Sequence, residues 1–395
     1  MKLSTDIRYS RAQRGMTLVE VMVGLVIGLI GMLVIFQTVT LWDSRTRATS
    51  AGSDAQVTGT IAMFQLERDL RLAGQGFGTA DTAVMGCQVS GHDASASGAL
   101  ITFPLTPVVI VDNDAINQPD QIVTLYGTSP YFTTDQRYGA GSLYSIGTFD
   151  RTGFKSGDLA VVSHSVNANP ASADCQLVEV TDDSTAADPK TLSFSVFGPA
   201  TYPHFYKNGA ALPSRFNDVN GVGASFPSGK VFSLGPLPGR NVWTVAASGV
   251  LGKQDDVLQP TGYLPIAEGV INMKAEYGYD LNNDKIVGAA EWSKAPSAPV
   301  DWSHIRAIRV ALLVRSRNYE KPGVVNSAEQ NYTATNPQWH ANGGVLAQDF
   351  FMRNVDGTPD AFTVAQNNPN PNNWRNYRYT VYEKVFPLRN VIWGQ

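Results

Sequence analysis

Arg14-Gly15-Met16-Thr17-Leu18-Val19-Glu20 joins a basic leader to an apolar run that reaches Leu41, and it sets one carboxylate four residues beyond Met16. The apolar run is long enough to cross a bilayer core of about 30 Å as a helix. A lone acid inside such a span costs about 2.5 to 3.5 kcal/mol on insertion scales, so Glu20 needs a compensating partner. A cut after Gly15 supplies one, because it creates an amine at Met16. The amine of one subunit can then meet Glu20 of a neighbour inside a bundle of packed helices. A plain signal anchor shares the positive flank of Lys2, Arg8, Arg11 and Arg14 but does not explain Glu20. A cleavable secretory peptide places small residues after a shorter apolar region, not a glycine before it.

With these residues the chain resembles the type IV prepilin family, in which a leader ending in Gly is removed by a prepilin peptidase and the new terminus is methylated. The resemblance makes Gly15 and Met16 the processing site and Glu20 the assembly residue. The family usually has Phe where this chain has Met16. Three further stretches resemble its PilW-type minor pilins, which assist pilus assembly. Leu66-Glu67-Arg68-Asp69-Leu70-Arg71-Leu72-Ala73-Gly74 is similar to that group's helix ending, Ile308 to Ser316 to its central strand, and Val385 to Asn390 to its closing segment.

Among 395 residues, 43% are hydrophobic and only 16% charged, with Gly, Pro and Asn clusters between short apolar runs, a composition that reads as an ordered and mostly β chain. The leader sets four basic residues against Asp6, so its removal takes the formal charge from -4 to about -7. No basic face survives to bind nucleic acid. Cys87 and Cys175 are the two cysteines, both on the side that positive-inside logic exports, and a disulfide between them is the expectation. Closing that loop stabilises the fold by roughly 4 to 5 kcal/mol in the chain-entropy view.

The helical pattern continues past the apolar run: Met63, Leu66, Leu70 and Ala73 lie on one stripe, Glu67 precedes Arg71 by four, and Gly74 and Gly76 end it. Gly24 and Gly28 form a small-xxx-small pair that admits a second helix. Ser50 to Thr60, with Gly52 and Gly59, is the expected weak point. Strands are expected at Leu100–Phe103, Gln121–Tyr126, Leu159–Ser163, Cys175–Val180, Thr191–Phe197, Val270–Tyr279, His304–Arg315 and Arg378–Phe386, with polar loops at Asp182–Lys190 and Asn367–Asn373. The expected architecture is α+β, a pilin-like long N-terminal helix packed on a large, mostly antiparallel β globular domain. Residues 1–15 are the leader, 16–73 the helix with 16–41 as transmembrane segment and filament core, and 74–395 a periplasmic domain with room for two subdomains divided near 200–209.

Asp280-Leu281-Asn282-Asn283-Asp284-Lys285-Ile286-Val287-Gly288-Ala289-Ala290-Glu291 carries the ligand order of an EF-hand loop. Asp280, Asn282, Asp284 and Glu291 occupy the first, third, fifth and twelfth places, and the Ile286 carbonyl the seventh. Lys285 stands sixth, where the motif wants Gly. An Asx-rich hairpin turn uses the same residue types for local backbone hydrogen bonds, so Ca²⁺ and a bare turn both fit.

Nothing marks a catalytic centre. His92, His164, His204, His304 and His340 form no HExxH pattern, and neither a GxSxG elbow nor a phosphate-binding loop occurs. Trp292, Trp302, Trp339, Trp374 and Trp393 crowd the last quarter, where core packing is their expected work. The resemblance implies a non-enzymatic minor pilin that helps initiate and assemble type IV pili. Its implied partners are other minor and major pilins, a tip adhesin, the prepilin peptidase and the inner membrane. A type II secretion pseudopilin, or a signal-anchored periplasmic enzyme or ligand-binding protein, are the competing readings.

Overall fold

A computed structural model describes residues 15–80, 84–96, 99–131, 135–164, 175–182, 190–194, 206–207, 210–211, 213–218, 220–221, 228–255, 257–258, 261–294, 302–319, 323–325, 328–330, 333, 335–358 and 371–393. Most of the leader, His204 and much of the 200–209 stretch therefore lie outside the described residues. Two compact units are present, the first through Gly52 and the second from Ser53 onward. The architecture is α+β, an apolar N-terminal helix followed by a large, mostly antiparallel β region.

Helix α1 spans Leu18–Leu72 without interruption, so the expected weak point at Ser50 to Thr60 is helical. Within the second unit the reason is visible at Gly59. A Cβ there would lie 2.1 Å from Tyr382 Cε2, so this glycine serves close packing against a ring. Tyr382 also donates from its hydroxyl to the Ala55 carbonyl at 3.4 Å. The stripe of Met63, Leu66, Leu70 and Ala73 is buried as its spacing requires.

That stripe enters one core with two sheets. One has four strands in the order Trp292–Ser293, Val270–Tyr279, Ile305–Arg315, Tyr379–Pro387. The other has five, in the order Leu264–Glu268, Val250–Asp255, Gly239–Ala246, Gln121–Tyr126, Val108–Val111. The central strand Ile305–Arg315 is buried on both faces. Ile308, Val310, Leu312 and Val314 join the core that holds Leu66 and Leu70, while Ala311 and Leu313 join a second with Trp339 and Trp374. Its continuous apolar run, rather than an alternating one, follows from that double burial. Each of its large side chains contributes roughly 1.5 to 3 kcal/mol relative to exposure.

An eight-stranded sheet completes the second unit, in the order Ala99–Pro104, Gln88–Asp93, Cys175–Glu179, Leu159–His164, Gly229–Gly235, Gln136–Gly141, Ser145–Thr148, Thr191–Ser193. Its pairing is antiparallel except where Val89 and Ser90 run parallel to Cys175 and Gln176. Cys87 and Cys175 form a disulfide beside that junction, with Cα atoms 6.1 Å apart. The strand expected over Thr191–Phe197 ends at Ser193, and 195–197 lie outside the described residues. His304 belongs to a short 3-10 turn rather than to the following strand. Trp339 and Trp374 are buried as expected of core residues, but Trp393 is 78% exposed.

Candidate functional site

Gly15, Met16 and Thr17 precede α1 outside any regular element, and Met16 is exposed. Thr17 caps the helix. Its backbone N–H and hydroxyl donate to Glu20 Oε2 at 3.2 and 3.3 Å, and the Glu20 N–H donates to Thr17 Oγ1 at 3.3 Å. This is a capping box, in which each residue satisfies the other's free donor. The Thr-x-x-Glu spacing announces it, although the sequence reading sought only a distant partner for Glu20. Leu18–Asp43 is long and apolar enough to cross a membrane. Its large apolar side chains are exposed all round, from Leu18 to Trp42, which requires lipid or other helices as surroundings.

The other end of α1 is seated by residues far away in sequence. Asp69 is 1% exposed, and its Oδ2 accepts from Asn241 Nδ2 at 2.8 Å, Trp243 Nε1 at 3.1 Å and Lys253 Nζ at 2.9 Å. The carboxylate thus ties the helix to two strands of the five-stranded sheet. Glu67 accepts from Lys384 Nζ at 2.6 Å and from Arg71. The Lys384 hydrogen bond holds the Glu67 carboxyl below its ordinary range, against the opposing effect of burial.

Asn390 closes the helix. Its side-chain amide donates to the carbonyls of Arg71, Leu72 and Ala73 at 3.3, 3.1 and 3.1 Å, groups without a partner inside the helix, and Leu72 also accepts the Gln75 N–H at 3.0 Å. Gly74 then turns the chain in the left-handed region at φ 82°. The three stretches singled out at 66–74, 308–316 and 385–390 therefore meet: the second and third pair as neighbouring strands, and the first packs on both.

The 280–291 segment links the strands Val270–Tyr279 and Trp292–Ser293. Asp280 and Glu291 are buried, while Asn282, Asp284 and Lys285 are exposed. Lys285 has φ 66° and Asn283 φ 64°, the left-handed region that glycine favours. Such a conformation costs an ordinary residue roughly 1–2 kcal/mol. The Lys285 N–H donates to Asp280 Oδ2 at 3.1 Å, and Asp284 and Ile286 donate back to Asn282 Oδ1 and Asp284 Oδ1 at 3.0 and 2.8 Å. Glu291 reaches across, taking the Leu281 N–H on Oε1 at 3.0 Å and the Gly288 N–H on Oε2 at 2.7 Å.

The histidines serve separate contacts. His92 pairs with Asp218 at 3.2 Å and His340 with Glu383 at 3.0 Å. Among the described residues, Asp112, Asp114 and Asp120 bring three carboxylate oxygens within 4.8 Å of one another. Lys274 already holds two of them, at 3.0 Å for Asp120 and in direct contact with Asp114. Burial raises the Asp120 pKa, and the Lys274 charge opposes that rise.

Comparison with known proteins accords with both ends of this arrangement. Residues 10–36 match the prokaryotic N-terminal methylation motif, and together with the exposed apolar helix they fit a membrane-anchored pilin. Residues 257–390 match the family model for type IV pilus-assembly protein W, and they include the entire four-stranded sheet and Asn390. The two matches support a type IV pilus assembly-related pilin of the PilW type. Searches of curated proteins and of solved structures gave no match.

Proposed function

We propose that the chain is made as an inner-membrane precursor, cut after Gly15 by a prepilin peptidase and methylated at Met16. It then joins other minor pilins to initiate and assemble type IV pili at the filament tip. The observation that carries this reading is Glu20, one exposed carboxylate at the start of the exposed apolar segment of α1. In the precursor its hydrogen bonds go to Thr17. After cleavage the free Met16 amine of an incoming subunit offers a stronger, charge-assisted partner in the same apolar setting.

Met16 to Leu41 then forms the filament core, with Gly24, Gly28 and Gly31 open to a close neighbour. Further along α1, Val57, Ile61 and Phe64 are exposed at i, i+4, i+7 spacing and supply a second apolar stripe for a partner subunit. The work of the protein in this reading is assembly rather than catalysis. The disulfide fits a domain held in the periplasm, where such bonds persist.

The match to the PilW family favours the pilus over a secretion pseudopilus. The test is Glu20→Leu in a strain lacking the native copy, with surface pili counted by electron microscopy. Loss of pili with unchanged protein level and unchanged leader cleavage supports the reading. Normal piliation by Glu20→Leu contradicts it.

A further inference from the structure

We propose that the 280–291 loop is a Ca²⁺ site with a structural role, a reading that does not depend on the pilus assignment. Asx turns account for the hydrogen bonds from Asp284 and Ile286 to the side chains of Asn282 and Asp284. They do not account for Asp280. Its side chain is fully buried, Arg306 and the Lys285 N–H both use Oδ2, and Oδ1 has no hydrogen-bond partner among the described residues. A buried carboxylate oxygen left in this state is costly unless a cation or a donor meets it.

The loop supplies what such a cation needs. Oδ2 of Asp280 receives the N–H of Lys285 at the sixth place, so the carboxylate head faces the turn and offers Oδ1 as a single oxygen at the first. Asn282 and Asp284 bring side-chain oxygens at the third and fifth places, and Ile286 a carbonyl at the seventh. Glu291, at the twelfth, already folds back so that Oε1 lies on the second residue and Oε2 on the ninth. Both carboxylate oxygens thereby rest on backbone N–H groups of the loop, and closing on a cation draws them from there toward Asp280 and Asp284.

The departure at the sixth place does not exclude the metal. Lys285 adopts the left-handed backbone that Gly otherwise supplies, and its side chain is exposed rather than turned toward the oxygens. The loop carries three carboxylates, one of them shared with Arg306, an oxygen-rich and net negative ligand set that suits a hard cation. Bound there, Ca²⁺ fastens the hairpin to the neighbouring strand Ile305–Arg315 through the Asp280 and Arg306 pair.

The test uses the full chain in detergent, treated with chelator and titrated with CaCl2 by isothermal calorimetry, with MgCl2 as the control. One Ca²⁺ per chain is expected, with Kd below about 1 mM, the range of extracellular calcium modules, and little response to Mg²⁺. Ca²⁺ should also raise the thermal midpoint of the wild-type chain. Glu291→Gln should weaken Ca²⁺ binding at least tenfold. Because Glu291 also braces the loop from a buried position, Asp284→Ala, at an exposed one, provides a second variant with the same expected loss. No Ca²⁺ binding by the wild-type chain overturns the proposal, as does unchanged binding in both variants.

Discussion

Asp69→Ala is the most informative single change in the globular unit, because one buried oxygen serves three donors. Its removal leaves Asn241 Nδ2 and Trp243 Nε1 without that acceptor, at about 1–3 kcal/mol for each buried donor. Lys253, 16% exposed, turns partly to water and adds less. The expected loss is about 3–5 kcal/mol, the range for breaking a buried charged pair. Asp69→Asn keeps the shape and one acceptor and should lose about half as much. Glu67→Gln on the same helix is the control. Its cation partners, Lys384 and Arg71, are about half exposed, so its loss should stay below about 1 kcal/mol. Urea unfolding of the purified chain in detergent, followed by tryptophan fluorescence, measures all three. A loss for Asp69→Ala no larger than that for Glu67→Gln would show that the carboxylate does not seat the helix.

Asn390→Ala removes a side-chain donor from three helix-end carbonyls, of which Leu72 keeps the Gln75 N–H, and should lower stability by about 1–2 kcal/mol in the same urea assay, with Asn390→Asp failing to restore it because a carboxylate cannot donate. Gly59→Ala should destabilise by about 1–3 kcal/mol through overpacking on Tyr382. In a Tyr382→Ala background the same change should become neutral or stabilising, since Ala exceeds Gly in helix propensity by about 1 kcal/mol. Asp93 is held far below the ordinary carboxylate range, chiefly by the Arg215 hydrogen bond. Because its folded pKa is depressed, its contribution is present above the unfolded value of about 3.9 and is lost as pH falls toward the folded value. Thermal midpoints measured from pH 7 to pH 2 should therefore fall steeply below pH 4, and Asp93→Asn should lower stability by about 2 kcal/mol at neutral pH and flatten that fall.

The amphipathic stripe of α1 and the strands Gln121–Tyr126 and Val270–Tyr279 were legible in the sequence because period and apolar runs fix them locally. The central strand Ile305–Arg315 was legible for the same reason, with one residue of error at its start. Gln88–Asp93, Gln136–Gly141 and Ser145–Thr148 were not, since Gly, Ser, Asp and His within them carry no strand signal and pairing with neighbours decides their state. At the helix seat, a partial signal existed for Asp69, which lies three residues after Leu66 and four before Ala73, on the buried stripe. The sequence pattern named the Glu67 and Arg71 pair on this segment and left Asp69 without a role. Asn390 acts on carbonyls more than 300 residues away, and no local pattern announces a cap supplied from such a distance.

The central claim is that this chain becomes a pilin subunit through processing at Gly15, and intact mass with N-terminal sequencing tests it most directly. The protein is extracted from membranes of cells that express it with and without a prepilin peptidase. The account predicts loss of Met1 to Gly15 and methylation of Met16 only when the peptidase is present. An uncut amino terminus in both samples would contradict it, and would leave a signal-anchored protein whose helix joins no filament.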